Sequence, residues 1–337
     1  MTRTVAPDHS TARTAQAGVL AVGVLALVAV CVAGIAIGAR PVPPGDVLRA
    51  LFAFDGSDNH LVVRDVRLPR TLLGIAVGAA LAVSGALIQT LSRNPLAEPG
   101  VLGVTQGAGF ALTVGTATGI AVTAWSTLVA AVVGAVLATL LVYSVGRRST
   151  LRLLLAGVAF SAVLQGLSLG IRLMSPDTLD RFRFWAVGSL AGREQTDLTV
   201  PLVAIALALI GAVALARTLN TVALGDSVAQ SLGANVARVR TLTIVTITVL
   251  AGAATAVAGP ILFVGLIVPH LLRRLAAGSV PRLVGYCLLA GPILMVAADT
   301  ISRVLLPTGE VPVAIVTAFL GGPVLIWAVR RYGAGSL

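Results

Sequence analysis

The sequence predicts an all-α polytopic membrane protein with ten transmembrane helices and an internal inverted repeat. Three observations point there. Apolar residues make up 57% of the 337 residues and charged residues 11%, with a mean hydropathy of +0.99. A soluble domain carries roughly 25% charged residues. The apolar runs are long and unbroken, as a helix crossing the hydrocarbon core requires over ~20 residues. Lipid cannot satisfy backbone polar groups, so a spanning chain is helical or a closed barrel, and unbroken runs without alternation select helices. Third, GAALAVSG at 78–85 returns as GAATAVAG at 252–259, and ten positions after each final glycine stands a proline, Pro95 and Pro269. The shared proline spacing lifts an Ala/Gly match, weak by itself in so Ala-rich a chain, to an internal repeat.

Taken in order, residues 1–16 are polar and Arg-bearing and are expected to form a cytoplasmic tail. The apolar run behind them is too long for a signal-peptide core and reads as a retained first helix at 17–39. The further segments are expected at 68–92, 102–120, 124–146, 151–172, 198–216, 241–259, 261–272, 283–306 and 311–329. Residues 17–331 form one membrane domain, and 332–337 a second cytoplasmic tail. Cys31 and Cys287 lie inside apolar runs and read as small buried hydrophobes, not as a disulfide or metal ligands.

Short arginine-bearing loops set the orientation. Arg147-Arg148, Arg238 with Arg240, Arg273-Arg274 and Arg330-Arg331 are expected in the cytoplasm. Parity then requires the short segment at 261–272 to return the chain to the cytoplasm, since otherwise the tail at Arg331 would lie outside. The outward loops carry arginines too, partly balanced by acids that include Asp46, Asp55, Asp58, Glu194 and Asp197. The net charge of +11 is all arginine on the positive side. With the arginines set between apolar runs, topology and anionic lipid account for it, and nucleic acid is not expected as a partner. Two stretches are long enough for surface structure: 41–65 outside, with an amphipathic helix around 47–54, and 219–240 inside. In the second, Val222, Leu224, Val228, Leu232 and Val236 recur about every four positions, and Gly225 and Gly233 divide it into two short helices lying on the membrane face.

Chemistry-bearing clusters are scarce. His9, His60 and His270 are scattered, no grouping has metal-ligand spacing, and without lysine there is no phosphate-binding Gly-Lys-Ser/Thr loop. No cofactor, no metal and no catalytic residue is expected. Intramembrane carboxylates are nearly absent; Asp299 late in the ninth segment, with Glu98 and Glu310 at element ends, is thin material for a proton or sodium relay. Gly74 and Gly78 form GxxxG, followed by Ala82 and Gly85, a face that suits either intrachain packing or a dimer or pore contact. Asn94-Pro95 reads either as a helix stop or as broken backbone facing a cavity, with Pro269-His270 as its repeat partner. Arg67 and Arg70, three apart at an outer helix mouth, suit either interfacial snorkelling or a cationic socket for a carboxylate, which Arg303 could complete.

RLPRTLLGIAVGAALAVSG, NPLAEPGVLGV, RLLLAGVA, ALGDSVAQSLG, GPILFVGLIVPHLLR and VPVAIVTAFLGGPVLIW together resemble the permease subunits of iron–siderophore and cobalamin ABC importers of the FecCD type, from about Pro41 to the C-terminus. The resemblance implies a type II ABC importer fold, ten helices per subunit and a dimeric pore. It implies as partners a second permease subunit (the same chain or a paralogue), two cytoplasmic ATPase subunits and an extracytoplasmic substrate-binding protein. In relatives, arginines at the positions of Arg67, Arg70 and Arg303 receive glutamates of the binding protein. Leu224, Gly225, Asp226, Ala229, Leu232 and Gly233 match the segment that presses into the ATPase, and Leu96 and Thr150 match a cytoplasmic gate. The arginine-rich stretch 181–193 is less typical.

The function expected on these grounds is ATP-driven import of a ferric siderophore or related iron chelate across a bacterial cytoplasmic membrane, ATP being hydrolysed by a separate chain. Cobalamin or haem is the nearest alternative cargo. An ion-coupled secondary carrier is the alternative of another class; its uptake would survive loss of ATP and stop with the ion gradient. A membrane-embedded enzyme has no residue cluster behind it.

Overall fold

A computed structural model describes residues 9–38, 40–146, 149–193, 198–306 and 309–332. Arg147, Arg148, Glu194 and Asp197, and the tail residues 1–8 and 333–337, lie outside the described residues.

Helix dominates, and among the described residues the only β pairing is an isolated bridge between Leu306 and Gly309. The elements are α1 (His9–Ala36), α2 (Pro44–Phe52), α3 (Asp58–Leu61), a π-helical turn (Val62–Arg67), α4 (Leu68–Ser92), a 3-10 turn (Pro99–Leu102), α5 (Val104–Ala117), α6 (Ala124–Gly146) and α7 (Thr150–Met174). There follow α8 (Pro176–Ala186), α9 (Thr199–Ala223), α10 (Asp226–Ser231), α11 (Val236–Ala258), α12 (Val264–Leu272), α13 (Val280–Val304) and α14 (Val313–Tyr332). Each of the ten expected segments falls on a helix: α1, α4, α5, α6, α7, α9, α11, α12, α13 and α14. Among the described residues, seven helices are long and apolar enough to cross a membrane. The 14-residue α5 and 9-residue α12 reach about 21 Å and 14 Å at 1.5 Å per residue, well under the ~30 Å hydrocarbon core.

Short helices at membrane depth need other groups to satisfy the backbone around them. The chain supplies these. Above α11 and α12, Ser189 donates its backbone N–H to Ala258 O at 2.8 Å, and Gly188 O accepts the Ala314 N–H at 3.1 Å. The outer turn 187–190 thus fills the gap between the end of α11 and the start of α14, with Leu190 fully buried beneath it. Before α5, Val101 and Gly103 bond back to Glu98 O and Gly100 O in the 3-10 turn.

α4 is the buried axis, packed by α13, α11, α12 and α9. Its small residues permit backbone contact that any side chain would block. A Cβ on Gly78 would lie 2.5 Å from the Gly291 carbonyl oxygen of α13, and one on Gly85 would collide with the Gly265 carbonyl of α12. Gly74 meets Leu190, Met295 and Val296. The GxxxG face is therefore used for intrachain packing, the drive being close van der Waals contact, since lipid offers no hydrophobic drive between helices. The repeat partner α11 packs against α4 and runs antiparallel to it, because the C-terminal end of α4 and the N-terminal end of α11 meet at the same pole through Asp226.

α1 begins at His9, and its apolar span runs over Gln16–Ala36, in keeping with the first segment expected at 17–39. Several other expectations are corrected. The expected outer helix at 47–54 is α2, displaced toward Pro44, whose ring pre-sets the first helical turn. α9 runs on to Ala223, because nothing between 216 and 223 breaks a helix, so the inner loop shrinks to 224–235 and holds one short helix, α10, not two. The two prolines do not mark equivalent breaks. α4 ends at Ser92 with Arg93 left-handed (φ 51°) and Pro95 in the turn beyond, whereas Pro269 sits inside an unbroken α12. The break in the second copy falls earlier, at Gly259–Phe263, where Gly259 and Phe263 have φ 74° and 71°. α8 was not expected; Ser175 caps it and Pro176 opens it.

Candidate functional site

The pole expected to face outward, the outer pole, gathers Arg67, Arg70 and Arg303. Arg67 ends the π-helical turn, Arg70 lies in the first turn of α4, and Arg303 lies in the last turn of α13. All three are buried, at 3%, 4% and 3% exposure, so none snorkels to the interface. Arg67 donates Nη1 to Ile35 O at 3.1 Å and Ala36 O at 2.6 Å, and Nη2 to Arg40 O. Arg303 donates Nη1 to Gly34 O at 2.9 Å. Two guanidinium groups thus sit on the carbonyls that α1 leaves unpaired at its C-terminus, where the helix dipole favours cations. Arg70 forks onto Asp299, with Nε 3.0 Å and 3.1 Å from its two oxygens and Nη2 2.9 Å from Oδ1. Its Nη1 lies 2.7 Å from Glu310 Oε2. Asp299 Oδ2 also takes Arg303 Nη2 at 3.2 Å. Asp299 is therefore a structural ion-pair partner held by two arginines, an unsuitable state for a carboxylate that must load and release a cation.

The opposite pole, expected to face the cytoplasm and hence the inner pole, joins the 224–233 segment to the end of α4. Gly225 (φ 124°) and Gly233 (φ 81°) bracket α10, both in backbone conformations that favour glycine. Ala229 is fully buried, while Leu224, Val228 and Leu232 are exposed at 65%, 43% and 64%, an apolar face turned away from the chain's own core. Asp226 bonds two arginines: Arg93 Nη2 at 3.1 Å and Arg240 Nη2 at 3.2 Å. Arg93 also caps the end of α9 by donating to Val222 O at 3.0 Å. Arg93 went unnoticed in the sequence, although its place directly before Asn94-Pro95 was a visible signal. A cavity of about 310 Å³ lies among Ser92, Arg93, Ser149, Val222, Asp226 and Arg240.

Asn94, Pro95 and Leu96 form the turn beyond Arg93. The Asn94 side chain accepts the Leu96 N–H at 2.9 Å, and Leu96 is exposed at 40%. Thr150 opens α7 behind Ser149, whose hydroxyl accepts the Arg152 N–H at 3.2 Å; the Thr150 side chain lies outside the described residues. Pro269 and His270 stand apart from that turn, inside α12. Proline at 269 cannot bond Gly265 O in the helix ladder. The fully buried Gln89 of α4 replaces that bond, its amide nitrogen lying 3.4 Å from Gly265 O and 3.0 Å from Leu266 O. Gln89 Oε1 in turn accepts Arg273 Nη2 at 3.1 Å. Gln89 was also missed in the sequence, where a lone amide in an apolar helix carries no signal of its partner. A second inner cavity, of about 300 Å³, is bounded by Gln89, Arg93, Pro95, Arg273 and the start of α13. Among the described residues no group of three or more His, Cys, Asp or Glu is placed to hold a metal ion.

The profile of the FecCD transport family matches residues 25–331. The ferric enterobactin transport system permease protein FepD of Escherichia coli (strain K12) is 44% identical over 320 residues, 93% of this chain and 96% of FepD. The vitamin B12 import system permease protein BtuC of Salmonella typhi is 37% identical over 300 residues, 87% of this chain and 89% of BtuC. A solved metal-chelate type ABC transporter in an inward-facing conformation superposes with a TM-score of 0.81 at 29% identity, covering 93% of this chain and 99% of that one.

Proposed function

This chain belongs to the FecCD transport family and is a membrane-spanning permease subunit of an ABC importer; we propose that its cargo is a ferric siderophore. The observation that carries the cargo is the end-to-end likeness to a ferric enterobactin permease at 44% identity. A vitamin B12 permease at 37% supports cobalamin as the second reading. The partners are two cytoplasmic ATPase subunits, an extracytoplasmic binding protein and a second permease subunit.

The geometry supports a division of labour between the poles. Outside, the cluster of Arg67, Arg70 and Arg303 is the docking point for carboxylates of the binding protein, since a guanidinium fork pairs with a carboxylate through two directed bonds. Inside, the apolar face of Leu224, Val228 and Leu232 meets the ATPase. Asp226, tied to Arg93 and Arg240, transmits movement of α10 to the ends of α4 and α11. The Asn94–Leu96 turn follows directly on Arg93, so that movement reaches Leu96, which with Thr150 forms the cytoplasmic gate. Pro95, Pro269 and His270 flank the path. Nucleotide-driven closure of the ATPases then switches the helices between two packed arrangements, an alternating-access scheme.

The test is uptake by the reconstituted complex of permease, ATPase and binding protein in liposomes. Radiolabelled ferric enterobactin should accumulate only with ATP, and should do so when the ion gradient is collapsed. Uptake of cobalamin and not of the iron chelate would overturn the cargo. Uptake without nucleotide would overturn the importer reading.

A further inference from the structure

The arginines of the outer cluster are already engaged, and this has a consequence for how an acidic partner can reach them. Arg70 spends Nε and Nη2 on Asp299 and Nη1 on Glu310. Arg303 spends its three nitrogens on Asp299, Gly34 O and Thr300 Oγ1. Both terminal nitrogens of Arg67 donate to carbonyls of residues 35, 36 and 40. Each terminal nitrogen of these three guanidinium groups already holds an acceptor. An incoming carboxylate therefore meets nitrogens that are in use.

The places differ in access. The side chains of Arg70, Arg303 and Asp299 are 4%, 3% and 2% exposed, whereas that of Glu310 is 35% exposed. Asp299 is locked between two arginines, but Glu310 holds Arg70 through Nη1 alone and comes from the short turn between α13 and α14. We propose that Glu310 is a built-in stand-in for the partner's carboxylate: an acidic side chain docks on Arg70 by exchanging with Glu310. This rests on the reading of Arg70 as a docking residue.

The exchange makes physical sense. Asp299 holds Arg70 through Nε and Nη2 whether or not Glu310 is in place, so what Glu310 supplies between docking events is a charged acceptor for Nη1, which would otherwise lose its hydrogen bond. Replacing one carboxylate by another at the same nitrogen changes little in the number or kind of bonds. Affinity then becomes a difference between two similar pairs, which suits a partner that must dock and leave in every cycle.

The experiment measures the dissociation constant between the cognate binding protein and the permease–ATPase complex in lipid nanodiscs, for wild type, Glu310→Gln, Glu310→Ala and Arg70→Gln. Removing the competitor should tighten docking about tenfold in Glu310→Ala and by less in Glu310→Gln, since one charge-assisted hydrogen bond is worth at least about 1.5 kcal/mol. Arg70→Gln should weaken docking. If Arg70→Gln weakens docking while both Glu310 variants leave it unchanged or weaker, the stand-in idea fails and the docking role survives. If Arg70→Gln changes nothing, the docking role itself fails. A cryo-EM map of the wild-type docked complex gives a readout independent of variant folding: Glu310 should have left Arg70, and a docked complex with that pair intact overturns the proposal.

Discussion

Removing the Asp299 carboxylate tests the outer cluster most directly. The side chain is 2% exposed and holds Arg70 at 2.9 Å and Arg303 at 3.2 Å. In Asp299→Leu, Arg70 retains Glu310, but Arg303 is left with Gly34 O, Thr300 Oγ1 and the backbone oxygen of residue 299. Breaking a buried ion pair by removing one partner costs about 3–5 kcal/mol, because the surviving charge is uncompensated. Arg303 keeps neutral acceptors and Arg70 keeps one carboxylate, so the low end applies, about 3 kcal/mol. That corresponds to roughly a hundredfold shift in the unfolding equilibrium at 1.4 kcal/mol per decade. The assay is unfolding of the purified chain in mixed dodecyl maltoside and SDS micelles, followed by far-UV circular dichroism. The double variant Asp299→Leu/Arg303→Leu removes one charge of each sign and leaves Arg70 paired with Glu310. It should recover most of the loss, since apolar replacement of a whole buried pair is often near neutral. A single variant that unfolds with wild type, or a double variant no better than the single, would refute the reasoning.

Three further outcomes follow from the packing and the inner pole. Gly85→Ala forces a Cβ into the Gly265 carbonyl and should destabilise the chain by about 1–3 kcal/mol in the same micelle assay, the usual range for overpacking; Gly252→Ala, whose Cβ would meet Ala135 Cβ at 3.3 Å, should cost clearly less. Gln89→Ala leaves Gly265 O, Leu266 O and one Arg273 nitrogen without their partner and should cost about 1–3 kcal/mol in that assay. Arg93→Gln breaks a half-exposed pair with Asp226, so stability should fall by under ~1 kcal/mol. Cargo moved per ATP hydrolysed by the reconstituted complex should nevertheless drop severalfold, and an unchanged ratio would remove Arg93 from the transmission path.

Legibility differed between the poles and the packing. Helix identity and the positions of ten segments could be read directly, because each depends on a local run of apolar residues and on backbone polar groups that lipid cannot satisfy. The arginines of the outer mouth were visible as Arg67 and Arg70, but their burial was not. It depends on Asp299 and Glu310, 229 and 240 residues away from Arg70, and on the carbonyl end of α1. The inner segment was visible as a punctuated stretch, yet its helix count was misjudged, since Gly225 ends a helix that began at Thr199 and Gly233 begins no other.

Thus composition, apolar runs and loop charge alone determined that this chain is helical and spans a membrane, with paired arginines at one helix mouth and a glycine-punctuated stretch around 224–233; that it is a permease came from the likeness of its motifs to a family. Tertiary structure alone decided that the small-residue face of α4 closes on Gly291 and Gly265, that Gln89 approaches the Gly265 carbonyl to which Pro269 cannot donate, and that Glu310 fills the arginine mouth. The physical reason is the range of the interactions. A helix answers to neighbours three and four residues away, whereas a buried charge, an orphaned carbonyl or a glycine contact is satisfied by whatever residue the fold brings within a few ångströms.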